Sequence, residues 1–121
     1  MNVLVWVVSA VLAAAFLGAG LLKASQPKDK LRERMAWVDD FAPRGIKGIG
    51  AAEALGAVGL ILPWALDILP VLTPLAASGL FLTMVGAVLV HVRRGERKEI
   101  APPAVLGLLS LFVAVTRFAQ L

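Results

Sequence analysis

Four long apolar stretches separated by short polar connections dominate the chain. The first runs from about Val3 to Leu22 and stops at Lys23, and the second follows Arg44 and covers roughly 46–66. The third spans about 71–92 and is closed by Arg93 and Arg94; the fourth opens at Pro102-Pro103 and covers about 102–120. At a rise of about 1.5 Å per residue, each can cross the ~30 Å hydrocarbon core of a bilayer as an α-helix. Irregular chain would leave backbone N–H and C=O groups unpaired in lipid, so each span is predicted to be helical. Proline suits the start of the fourth, because a helix has no acceptor for the first N–H groups. The pattern therefore predicts an all-α integral membrane protein, a four-transmembrane-helix bundle forming one domain over 1–121.

The first connection has a pattern of its own. Ser25-Gln26-Pro27 reads as a helix start, and Leu31, Met35 and Val38 recur at helical spacing among Lys28, Lys30, Arg32, Glu33 and Arg34. A short amphipathic helix is expected there. Its apolar stripe suits two placements equally: on the headgroups, anchored by Trp37 and Phe41, or capping the mouth of the bundle. Asp39 and Asp40, just before Phe41-Ala42-Pro43, read as a turn.

Composition narrows the chemistry. The chain is 60% hydrophobic and 17% charged over 121 residues, more apolar than a soluble domain of this size could bury. With no cysteine, thiol–disulfide exchange, thiolate metal sites and cysteine nucleophiles are excluded for this chain alone. One histidine gives no basis for a protein-only metal cage, so no metal is assigned. Gly-rich phosphate loops, HExxH pairs, haem attachment motifs and nucleophile elbows are all missing. The N-terminal run has no basic residue ahead of it and is read as a span rather than a cleavable signal.

The net charge of +4 is distributed unevenly. Lys23, Lys28, Lys30, Arg32, Arg34, Arg44 and Lys47 lie in or beside the first connection, and Arg93, Arg94, Arg97 and Lys98 in the third. The N-terminus and the second connection carry no Lys or Arg. Basic residues beside apolar spans are explained by anionic headgroups and membrane orientation, not by nucleic acid. The expected topology places the first and third connections in the cytoplasm and both termini outside. Of the twelve basic residues only Arg117 then falls on the outer side, where Trp6 and Trp64 also land.

Helices in lipid associate through small residues and polar contacts. The expected inward faces are Ser9, Ala13, Phe16, Gly20 and Lys23 in the first span, and Gly48, Ala52 and Gly56 beside Glu53 in the second. Gly79, Thr83, Ala87 and His91 are expected to face inward in the third, and Gly107, Ser110, Ala114 and Arg117 in the fourth. Gly18-Ala19-Gly20-Leu21-Leu22-Lys23 and Gly86-Ala87-Val88-Leu89-Val90-His91 end two parallel spans alike, an echo compatible with a two-hairpin repeat.

Glu53 is the most informative residue. It lies six positions past Lys47, about 9 Å inside the basic boundary by helical rise. A carboxylate at that depth needs a partner, a proton or water. Lys23 and His91 end neighbouring spans on the same side, and a lysine stem can bend inward. A polar cluster of Glu53, Lys23 and His91 is therefore expected. A structural ion pair, a headgroup or polar-ligand site and a proton relay all fit it. Arg117, about 24 Å along the fourth helix from Ala101, is expected to snorkel outward or pair with Asp67. Thr83 and Ser110 are expected to bond carbonyls of their own helices.

Phe16-Leu17-Gly18-Ala19-Gly20-Leu21-Leu22-Lys23, followed shortly by Pro27, resembles the first-helix signature of the DoxX-like membrane proteins. Ile49-Gly50-Ala51-Ala52-Glu53-Ala54-Leu55-Gly56-Ala57-Val58-Gly59-Leu60 and His91-Val92-Arg93-Arg94-Gly95-Glu96 also resemble that family, and the likeness covers nearly the whole chain. The resemblance implies a small four-helix protein of the bacterial inner membrane. The family takes its name from a subunit of a quinone-linked oxidase complex. Some members join oxidoreductase assemblies linked to oxidative stress, and distant relatives include assembly chaperones and lipid- or sterol-handling proteins. Lys23 and Glu53 match the family pattern. No residue matches a known quinone or metal site, and the lack of cysteine argues against a thiol redox role.

Three functions follow as expectations. The first is a non-catalytic accessory or anchoring subunit with oxidoreductase partner subunits and no intrinsic cofactor. The second is a binder or transporter of an apolar small molecule, a quinone or lipid, with its polar end near Glu53. The third is an isomerase-like enzyme using Glu53 as proton carrier. A cavity between the helices at Glu53 would favour the second, and a packed bundle the first. The small-residue ridges would serve a homo-oligomer as well as packing within one bundle.

Overall fold

The computed structural model describes residues 2–32, 35 and 41–121, with Arg32 described by its backbone alone. The features expected at Trp37, Val38 and Asp39-Asp40 lie outside these residues. Helix α1 spans Asn2–Ser25, α2 Lys28–Arg32, α3 Pro43–Ala65, α4 Leu72–Arg93 and α5 Ala101–Ala119, and a 3-10 turn at Arg97–Glu99 precedes α5. Four of these, α5 taken with that turn, are long and apolar enough to cross a membrane, and no strand occurs among the described residues. The chain is thus a multi-pass, all-helical membrane protein. Helix α3 starts before the predicted span because Pro43 presets the backbone of its first turn.

The long helices form a ring. α1 packs chiefly on α3 and α4 on α5, and contacts of α3 with α4 and of α1 with α5 close the circle. Val5, Leu12, Phe16, Ala57, Leu60, Leu80, Met84 and Val113 fill its centre. Leu55, Leu82, Leu89 and Leu108 point outward, where lipid is their solvent.

Two of the predicted inner faces hold, one turns and one turns only in part. Ser9, Phe16, Gly20 and Lys23 of α1 are buried, as are Gly107, Ser110, Ala114 and Arg117 of α5. In α3 the buried stripe is Ile46, Gly50, Glu53, Ala57 and Leu60, whereas Gly48 and Ala52 face out. The reason is angular: neighbours in a helix lie about 100° apart, so Ala52 cannot share the face of Glu53, while Gly50 and Ala57 can. In α4, Ala77, Leu80, Met84 and His91 are buried, the predicted Thr83 and Ala87 are half-buried, and Gly79 is exposed. The interior needs bulk from α4, because its partner position on α5 is Gly107, whose absent side chain makes room for Met84.

α1 and α3 cross at Gly20 and Gly50. A Cβ on Gly20 would stand 2.5 Å from the Gly50 carbonyl oxygen, and one on Gly50 would stand 2.6 Å from that of Gly20. Backbone touches backbone here, the arrangement that small residues permit between membrane helices.

The first connection closes the basic end. α2 is a single short turn whose Leu31 is buried against Ile46, with Leu22, Met35 and Phe41 packed around them. Lys28 Nζ donates to the Phe41 carbonyl at 2.9 Å, and Lys47 Nζ donates to the Ala24 carbonyl at 3.2 Å near the end of α1. Of the two placements the stripe allowed, Leu31, Met35 and Phe41 take the one that caps the bundle.

Candidate functional site: a cavity headed by Lys23 and Glu53

Lys23 lies one turn beyond the Gly20–Gly50 crossing on α1, and Glu53 one turn beyond it on α3. Helical side chains lean toward their own N-terminus, so in this antiparallel pair the two lean toward each other. Lys23 Nζ donates to Glu53 Oε1 at 2.6 Å. Both are buried, Glu53 almost completely at 1% exposure. The ion pair lies in the bundle interior, where a charge lacking a partner would cost several kcal/mol (roughly 3–5 for one broken buried pair).

The pair heads a cavity of about 490 Å³. Its walls come from Ala15, Phe16 and Ala19 of α1, Ile49 of α3, Met84, Ala87 and Val90 of α4, and Pro102, Pro103 and Leu106 of α5. Met35 and Phe41 of the capping segment reach it from the basic end. The lining is apolar apart from Lys23, Glu53, His91 and the Thr83 hydroxyl, which is spent on the Gly79 carbonyl at 2.9 Å. Such a volume, with few polar groups at one end, is typical of small-molecule sites.

His91 lines the same cavity but is engaged elsewhere. Its Nδ1 is 3.0 Å from Glu96 Oε1, which also accepts from Arg94 Nε at 3.0 Å. The His91 hydrogen bond, with the charge of Arg94, holds the Glu96 carboxyl below the usual carboxylate range, although partial desolvation acts the other way. An ionised carboxylate can only accept, so the imidazole carries its proton on Nδ1. Gly95, at φ 72°, makes the reversal that brings Glu96 back to His91. The structure thus joins Lys23 with Glu53 and leaves His91 as a separate polar wall. Glu96 was missed in the sequence; its place five residues after His91, past a glycine, is the signal that could have marked it.

Arg117 corrects an expectation. It neither snorkels nor meets Asp67, which is exposed on the connection between α3 and α4. Its side chain is fully buried, with the guanidinium 4.7 Å from the ring of Trp6 and 4.4 Å from that of Trp64. Two indole faces attract a cation more effectively than the distant carboxylate could. Asp67, at φ 53°, takes a left-handed backbone conformation that suits a turn. The Trp6–Arg117–Trp64 stack plugs the bundle at the end opposite the cavity.

Compared with families of known proteins, the chain matches the DoxX-like family from residue 7 to residue 113. The chain belongs to the DoxX-like family. The matched stretch of this DoxX-like protein includes Lys23, Glu53, His91 and the whole cavity, and stops short of Arg117. No curated protein and no solved structure matches it.

Proposed function

We propose that this DoxX-like protein binds an apolar small molecule, of the quinone or lipid class, inside its helix bundle. The observation that carries this reading is the cavity itself: an apolar chamber of about 490 Å³ with one buried ion pair at its head. An elongated ligand places its hydrocarbon part against Phe16, Met84 and Leu106. Its carbonyl or hydroxyl then approaches Lys23 and Glu53. The aromatic–cation plug at the opposite end favours a binder with one entrance over a through-going transporter. The uneven basic charge supports an orientation with the cavity end in the cytoplasm and both termini outside, in the bacterial inner membrane.

The accessory-subunit reading is complementary. Exposed Arg44, Lys47, Arg97 and Lys98 at the cavity end offer a docking surface for the acidic face of an oxidoreductase partner. In that arrangement the bundle holds a ligand for the partner.

The test is binding of a short-chain ubiquinone and of a fatty acid to the purified chain in nanodiscs. Ala87→Phe fills the chamber from α4 and is expected to abolish saturable binding of whichever probe the wild type takes up, while thermal unfolding stays cooperative. Equal binding by wild type and Ala87→Phe would refute the proposal.

A further inference from the structure

Arg117 is an unusual buried cation because three of its five N–H donors, those on Nε and Nη2, have no partner. The Trp6 and Trp64 rings cover its guanidinium. Nη1 donates to Gln120 Oε1 at 2.8 Å. Nε and Nη2 are buried and have no hydrogen-bond partner, and no carboxylate pairs with Arg117 among the described residues. These two nitrogens are not an arbitrary pair. Their N–H bonds point the same way along one edge of the planar group, the fork that meets two oxygens of a carboxylate or phosphate at once. On α1, one turn deeper than Trp6, the Ser9 hydroxyl is also buried and unpartnered. Stacking attracts the cation but satisfies none of these donors.

On the outer side of Arg117, its partner Gln120 is held by one exposed hydrogen bond. Gln120 Nε2 donates to Asn2 Oδ1 at 3.0 Å, joining exposed side chains at the two ends of the chain. An exposed hydrogen bond of this kind is exchanged for water at a cost of about 1 kcal/mol, or roughly fivefold in an equilibrium.

We propose that Arg117 is an oxyanion-binding group. Its Nε–Nη2 edge takes two oxygens of a phosphate or carboxylate, admitted at the end of the bundle opposite the Lys23–Glu53 cavity when the Asn2–Gln120 bridge opens. The two indoles hold the guanidinium plane in place, so the edge is oriented before the anion arrives. This site is separate from the cavity and its chemistry differs: it selects charge and planar geometry, where the cavity selects apolar length.

Trp6 and Trp64 report on the site directly. The full chain carrying Trp37→Phe, in nanodiscs of neutral phosphatidylcholine, is titrated with inorganic phosphate, with acetate and with a short-chain phosphatidylglycerol while tryptophan emission is followed. A saturable change is expected with at least one of them. Response to phosphatidylglycerol alone assigns the anion to a lipid headgroup; response to phosphate or acetate assigns it to a free oxyanion. Arg117→Lys, which keeps the charge but lacks the fork, should bind at least tenfold more weakly, and Arg117→Met not at all. Asn2→Ala should bind roughly fivefold more tightly, as expected when one exposed hydrogen bond no longer has to open. Absence of any saturable change in the Trp37→Phe protein, or equal affinity in Arg117→Lys, would overturn the proposal. Neither result bears on ligand binding at Ala87.

Discussion

The hydroxyl of Thr73 donates to the carbonyl of Gly59 at 2.8 Å, from the first turn of α4 across to α3. That carbonyl would ordinarily accept from the N–H four residues on, but position 63 is proline and has none. Thr73, fully buried, thus supplies the hydrogen bond that Pro63 withholds at membrane depth. The α3–α4 seam is close here, because a Cβ on Gly59 would stand 2.7 Å from that of Ala76.

Thr73→Val should therefore destabilise the bundle by on the order of 1 kcal/mol, the scale of an interhelical hydrogen bond in lipid. The same change in a Pro63→Ala background should cost clearly less, because the restored N–H then serves Gly59. Unfolding in mixed micelles for the four proteins of the cycle measures the coupling. Additive effects would show that Thr73 does not compensate for Pro63.

The Gly20–Gly50 crossing makes a second prediction. Gly50→Ala places a methyl 2.6 Å from a backbone carbonyl and 2.7 Å from the Ala24 nitrogen, neither of which can swing aside like a side chain. α1 and α3 must separate, at a cost of about 1–3 kcal/mol. Gly18→Ala, two residues from Gly20 with nothing within 4 Å, is the control and should be neutral. A thermal shift of similar size in both would argue against the close crossing.

How much of this could be read in the sequence depends on what each residue answers to. The four helices were legible because length and apolar content answer to the thickness of the bilayer, whatever the neighbours. Lys23 and Glu53 were legible as partners because a carboxylate at that depth demands a cation and few were in range. The rotation of α3 was harder. Gly48, Ala52 and Gly56 make a plausible ridge alone, and only the angular relation of Gly50 to Glu53 selects the other. Arg117 was misjudged for a different reason: the attraction of two indoles depends on α1 and α3 converging on one point, which no spacing within α5 reveals.

The Lys23–Glu53 pair should behave as a unit. Lys23→Met leaves a buried carboxylate without its cation and should cost about 3–5 kcal/mol, whereas Lys23→Met with Glu53→Leu should recover much of that loss. The double variant also separates stability from binding. If it folds but no longer retains the quinone or fatty-acid probe, the pair recognises the ligand's polar end. If binding survives in the folded double variant, the pair serves only to join α1 to α3.

Glu96 gives the chain a pH dependence whose sign follows from its environment. Its carboxyl, held low by His91 and Arg94, titrates below its unfolded value of about 4.3. A group of that kind contributes its stability in full above the unfolded pKa and loses it as the pH falls through the lower folded value. The wild type should therefore exceed Glu96→Gln in melting temperature at pH 5 and above, and the gap should close as the medium is taken below about pH 4. In a His91→Leu background the gap between Glu96 and Gln at position 96 should shrink even at neutral pH, because the hydrogen bond that is removed contributes most to the shift. Melting curves for the wild type, the two single variants and the double variant across this range test both points. A gap that persisted unchanged to the most acid sample would mean that the Glu96 carboxylate does not stabilise the fold through its charge.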